Sequence, residues 1–172
     1  MHEQLAHTKE LNESVSDNVS QFLTFMLNGE NYGINILNIR EIIDLGRITQ
    51  VPMMADYIAG VINLRGSVVP VVDLALRFSL TPSERTNRSS IVILEVKDEE
   101  QSLEIGIIVG MVNEVLDISD TEIESSPSFG TRIRTDFIGG VGKINEQLLV
   151  LLDIDCVLCV DELSLLEQRQ AG

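Results

Sequence analysis

Apolar and polar residues alternate along most of this chain in short runs broken by turn residues. QFLTFML (21–27) has the composition of a strand, and Asn28-Gly29 after it is a strong signal for a tight hairpin turn. NYGINILNIREIIDL (31–45) is rich in isoleucine and predicts a strand with a local bend. PMMADYI (52–58) opens on a proline and predicts a turn of helix. GVINLRG (60–66) and SVVPVVDL (67–74) predict two strands joined near Gly66, with Pro70 marking an edge or a bulge. SIVILEV (90–96), the long run from Leu103 to Ile118, FIGGVGKI (137–144) and LLVLLDI (148–154) supply the later strands. From Asp155 the spacing of Val157, Leu158, Val160, Leu163, Leu165 and Leu166 predicts a C-terminal amphipathic helix over about 155–169. Residues 1–20 predict a flexible tail, and the polar stretch 79–89 a seam.

The pattern occurs twice. At a shift of 73, Gly33, Ile34, Glu41 and Asp44 meet Gly106, Ile107, Glu114 and Asp117. At a shift of 80, Ile58, Gly60, Val61 and Asp73 meet Ile138, Gly140, Val141 and Asp153. The second copy carries seven extra residues, in the looser segment SDTEIESSPSFGTRIRT (119–135). A repeat of this kind governs how the rest is read. Each copy yields about four or five short strands with tight turns, the pattern of a small closed barrel. The expected units are a first copy over about 21–80 and a second over about 88–154, with pairing across the copies left open.

Composition sharpens this picture. Of 172 residues 44% are hydrophobic and only 4% aromatic, with no tryptophan, so Val, Ile and Leu must build the core. That composition suits strands. No apolar run approaches the roughly 20 residues that span a bilayer, and the polar N-terminus has no apolar signal region. A soluble cytoplasmic protein is expected, with no direct membrane insertion. The net charge of −15 divides as −3 over residues 1–20, −1 over 21–85 and −11 over 86–172. Such a chain repels phosphate backbones, which argues against nucleic acid as a partner. The copies kept one apolar skeleton while their surfaces diverged, as expected if they face different partners.

Candidate chemistry is sparse. Both histidines, His2 and His7, lie in the tail, so the folded part lacks the commonest general base and metal ligand. Cys156 and Cys159 form a C-x-x-C pair without the βαβ context of a redox motif or two further zinc ligands. On a helix they share a face and read as small buried hydrophobes. Gly139-Gly140-Val141-Gly142 lacks the Lys-Ser/Thr of a phosphate loop, and a bulge or close backbone approach explains it better. The expectation is no enzyme, no cofactor and no metal. A small carboxylate hydrolase would need a perturbed carboxylate pair, and no spacing singles one out. Where the copies differ within a matched frame, Leu64-Arg65-Gly66 faces Ile144-Asn145-Glu146. Arg65 is therefore a charge that one copy alone carries beside a turn glycine.

Tyr32 to Ile43 (YGINILNIREII), Gly60 to Leu74 (GVINLRGSVVPVVDL), the Gly106 to Leu116 run and Phe137 to Gly142 (FIGGVG) resemble the CheW family, the coupling proteins of bacterial chemotaxis. The match covers about residues 20 to 165, and NLRGxVVPVVDL is its most specific element. The same domain occurs within the CheA kinase and CheV, whose further domains do not fit in 172 residues, so a stand-alone adaptor is expected. The resemblance implies an all-β fold of two tandem five-stranded SH3-like β-barrels around a shared hydrophobic core. It implies no catalysis, and a bridge between the cytoplasmic tip of chemoreceptors and the regulatory domain of the CheA histidine kinase. It implies a receptor-facing surface of Ile39, Glu41, Arg65, Gly106, Val112 and Val115, with Glu41 and Arg65 paired beside an apolar groove. The kinase would dock end to end on a barrel, expected to be the second, with no residue assigned. The alternative is a paralogue scaffolding a different chemosensory array.

Overall fold

Strands form here because successive side chains enter two different apolar environments. The structure is a computed structural model that describes residues 18–78, 80–82, 85–98, 101–125 and 137–158. In the first half lie β1 (Val19–Leu27), β2 (Glu30–Asn35), β3 (Ile39–Asp44), β4 (Ile58–Leu64) and β5 (Ser67–Asp73). In the second lie β6 (Ser90–Asp98), β7 (Gln101–Val109), β8 (Met111–Ser119), β9 (Ile123–Glu124), β10 (Ile138–Ile144) and β11 (Gln147–Leu152). Asn28 (φ 50°) and Gly29 (φ 82°) form the expected β1–β2 turn. The expected bend in 31–45 is a 3-10 turn, Ile36–Asn38, where the Asn35 side chain accepts from the Leu37 N–H at 2.9 Å.

Several details differ from expectation. The 52–57 segment makes turns and a bend rather than a helix, because Met53 sits at φ 66°, outside right-handed helical space. The run from Leu103 to Ile118 is two strands, broken at Gly110, whose N–H bonds the Met26 carbonyl. One-turn helices, Leu74–Arg77 and Ile154–Val157, follow β5 and β11. The repeated aspartates cap them: Asp73 accepts from the N–H groups of Ala75 and Leu76, and Asp153 from that of Cys156. The remainder of the expected 155–169 helix, like residues 1–17, lies outside the described residues. Pro70 stands where β5 has not yet met β7, whose pairing begins at Val71↔Gly106, so its missing N–H interrupts no ladder bond on that side.

The copies and the barrels turn out to be different units. One sheet has the order β3-β6-β7-β5-β4 and the other β8-β1-β2-β11-β10-β9. A middle barrel thus spans 39–109, and a terminal barrel is assembled from 19–35 and 111–152. Each copy gives its leading hairpin to the other copy's strands. The parallel joins are equivalent, Gly33↔Leu151 in one barrel and Gly106↔Val71 in the other. The cause is local: a three-residue turn after β2 and the single Gly110 after β7 leave no room for the chain to return to its own sheet. Closure is equivalent too. The short turn Asp120–Glu122 carries β8 into β9, which pairs with β10, and Thr49 after β3 bridges Val61 on β4.

The exchange creates three apolar compartments. Ile91 and Ile93 point into the middle barrel, Phe22, Ile118, Leu149 and Leu151 into the terminal one. Val92, Leu94, Leu23, Phe25, Ile107 and Leu152 enter a larger core shared between them. The scarce aromatics concentrate there: Phe25, Tyr32, Phe78 and Phe137 succeed one another at ring distances of 6.0, 5.8 and 5.7 Å. Arg77 fastens the two short helices, donating to the Val157 carbonyl at 2.7 Å with its guanidinium over the Tyr57 and Phe137 rings.

Candidate interaction site

β3 and β8 are matched strands, and each carries a bulge at the matched place. Pairing steps from Ile39↔Leu94 to Glu41↔Ile93 in one and from Leu23↔Val115 to Phe25↔Val112 in the other. The extra residue re-aims the side chains beyond it. Ile39, and by the same register Ile42 opposite Val92, share the face of the common core, while Glu41 and Ile43 fall opposite Ile93 and Ile91, toward the barrel interior. On β8, Val112 and Val115 lie opposite Phe25 and Leu23 of the common core.

The expected surface residues separate accordingly. Ile39 and Val112 are half-buried against the rim of the shared core. Val115 is 50% exposed, so it is available to a partner rather than spent on packing. Arg65, at φ 53° in the β4–β5 turn, donates from Nη2 to Glu41 Oε2 at 2.7 Å. This pair joins the β4–β5 turn to β3 across the mouth of the middle barrel. Gly106 is the correction: it is buried, and a Cβ there would stand 2.8 Å from Ile91 Cγ2, so it offers packing space and no surface. Ile42, the partner of Val115 under the 73-residue shift, is 43% exposed and escaped sequence reasoning. The repeat itself was the signal that could have found it.

The rest of the middle barrel's mouth is also ion-paired. Arg40 reaches Glu95 at 3.4 Å and Glu104 at 3.6 Å. The Ser102 hydroxyl donates to Glu95 and holds that carboxyl below its usual range, against an opposing effect of burial and with help from Arg40 and Lys97. Two further exposed apolar residues are matched at a shift of 80, Val68 at 71% and Leu148 at 56%, near the starts of β5 and β11. Since the second copy contributes strands to both barrels, an expected kinase site on "the second barrel" does not correspond to a single unit of the fold.

Cys156 is exposed on its short helix, contrary to the buried reading, because Ile154, Val157 and Leu158 take the inward positions; Cys159 lies outside the described residues. In the 139–142 stretch Gly139 is the bulge residue of β10, and a Cβ on Gly140 would stand 2.6 Å from Ile123 Cγ2. Among the described residues no group of His, Cys, Asp and Glu is placed to hold a metal, and no helix is long and apolar enough to cross a membrane.

Comparison with known proteins places this architecture. A family-wide profile of the CheW-like domain matches residues 21–161. The chemotaxis protein CheW of Bacillus subtilis is 37% identical over 139 residues, covering 80% of this chain and 86% of its own. That of Klebsiella aerogenes is 32% identical over 147 residues, 86% of each. The crystal structure of the scaffolding protein TtCheW from Thermoanaerobacter tengcongensis superposes with a TM-score of 0.72 at 32% identity, over 78% of this chain and 84% of that one. With the matched profile spanning nearly the whole two-barrel body, the chain belongs to the CheW-like domain family.

Proposed function

We propose that this chain is a non-enzymatic chemotaxis adaptor that couples the cytoplasmic tips of chemoreceptors to the regulatory domain of a CheA histidine kinase. The observation that carries the reading is the matched set of half-exposed apolar side chains, Ile39 and Ile42 on β3 and Val112 and Val115 on β8, along the rim of the shared core. A helical receptor tip binds by laying an apolar stripe into such a groove. The Glu41–Arg65 pair fixes charge beside it, which serves specificity more than affinity. The kinase contact falls at the barrel mouths, where Val68 and Leu148 are exposed. The relatives named as chemotaxis and scaffolding proteins support the same role. The adaptor acts in the cytoplasm, recruited to membrane-associated arrays.

An exposed ion pair contributes only about 0.2–1 kcal/mol to stability. Arg65→Glu is therefore expected to fold and to bind the kinase domain, yet to lower receptor control of kinase autophosphorylation in a reconstituted assay. Glu41→Arg combined with Arg65→Glu is expected to regain part of that control. Normal control by folded Arg65→Glu would sink the assigned surface. Titration calorimetry with the isolated regulatory domain tests the kinase half and should show saturable one-to-one binding. No binding by a folded sample would assign the chain to the kinase of a different chemosensory array.

A further inference from the structure

We propose that the mouth of the terminal barrel is an acceptor for an arginine side chain supplied by a partner protein. The argument comes from what the two barrels do with the same position. In the middle barrel the mouth is sealed by the chain's own cations: Arg65 on Glu41, and Arg40 on Glu95 and Glu104. Under the repeat, Arg40 becomes Asn113, Arg65 becomes Asn145 and Glu104 becomes Asn31, while Glu41 remains a carboxylate, Glu114. The Arg40–Glu104 pair has its counterpart in Asn113 Nδ2 donating to Asn31 Oδ1 at 3.3 Å. One contact was thus converted from charged to neutral on both sides. The Glu41–Arg65 contact was converted on one side only.

Glu114 lines a cavity of about 210 Å³, formed by β8, β1, β2 and the β10–β11 turn. Among the described residues its wall holds one carboxylate, no cation, the amides of Asn31, Asn113, Asn145 and Gln147, and an apolar floor that includes Leu116 and Leu149. Thr24 bonds the main chain of Glu114 in both directions, accepting from its N–H at 3.2 Å and donating to its carbonyl at 2.9 Å, so the backbone beneath the carboxylate is fixed. The ion pairs of Arg40 and Arg65 lie in the middle barrel, and none of them neutralises this one. A guanidinium fits the site better than an ammonium. It is planar, forks toward a carboxylate and side-chain amides at once, and is weakly hydrated enough to rest on an apolar floor. Leu148 at the rim, largely exposed, gives an apolar neighbour of the arginine a place to pack.

This inference deepens the kinase half of the adaptor reading, which puts a contact at this barrel mouth, but its test needs no kinase or receptor, so either can fail without the other. The uniformly 15N-labelled full chain is titrated with acetyl-Val-Arg-Val-amide, and separately with the neutral analogue carrying citrulline in place of arginine, followed by two-dimensional NMR. The arginine peptide should give saturable shifts confined to the amides around Thr24, Asn31, Glu114 and Asn145. The citrulline peptide should bind at least threefold more weakly. Glu114→Gln should lose the difference between the two peptides. Asn145→Arg should abolish binding by supplying its own guanidinium, in a turn geometry Arg65 already adopts at φ 53°. The spectra themselves report that each variant is folded. Equal binding of the two peptides, no saturable shift at these amides, or unchanged binding by Asn145→Arg would each overturn the proposal.

Discussion

Gly33 and Gly106 occupy the same place in the two copies, each beside a parallel join, yet their surroundings differ in stiffness. A Cβ on Gly106 would stand 2.8 Å from Ile91 Cγ2, with Ile93 and Val71 close behind. All three neighbours are β-branched and cannot swing away at χ1. A Cβ on Gly33 would stand 2.9 Å from Leu151 Cδ2, the far end of a side chain that can turn. Gly106→Ala is therefore expected to cost about 1–3 kcal/mol through overpacking. Gly33→Ala should be near neutral, since the lower entropy of its unfolded chain offsets a smaller strain by about 0.4–1 kcal/mol. Urea denaturation of the two variants checks the order. Equal losses would mean that backbone requirements rather than packing hold these glycines.

The β4–β5 and β10–β11 hairpins are one element used twice with different turn chemistry. Arg65-Gly66 takes φ values of 53° and 87°, and Asn145-Glu146 takes 50° and 66°. Both central positions are left-handed, as a tight hairpin that matches the strand twist requires. Gly66 meets that at no steric penalty, whereas Glu146 carries a Cβ into a region that costs non-glycine residues roughly 1–2 kcal/mol. Glu146→Gly is expected to stabilise the protein by about 0.5–1 kcal/mol, less than the full strain because glycine frees the unfolded chain. A rise in the urea midpoint at unchanged slope is the expected reading, and no rise would mean that Glu146 is held by contacts outside its own turn.

At the scale of the molecule, the exchanged hairpins make each barrel a joint product of both halves. Among the described residues the shared core contains most of the buried apolar side chains, and each barrel interior only four buried ones. Neither barrel keeps a sufficient core when the other opens, because β6 and β1 contribute alternate residues to their own interior and to the common one. Unfolding should therefore be a single cooperative event. Scanning calorimetry is expected to show one transition whose calorimetric and van't Hoff enthalpies agree. Two resolved transitions would show that the barrels are separate folding units despite their interleaving.

The sequence by itself determined the strands, the tight turns, the duplication and the family, because period-two alternation, Asn-Gly signals and a constant shift are all local or pairwise properties of the chain. Through the resemblance it also named Glu41 and Arg65, residues 24 positions apart that meet at 2.7 Å. Only the tertiary structure decided which strands share a barrel, since the pattern of β2 is satisfied equally beside β5 or β11. It alone buried Gly106, exposed Ile42 and Cys156, and left Glu114 facing a cavity, because burial depends on which neighbour arrives. A repeat fixes what each strand is, and the short connections after β2 and β7 fix where it goes.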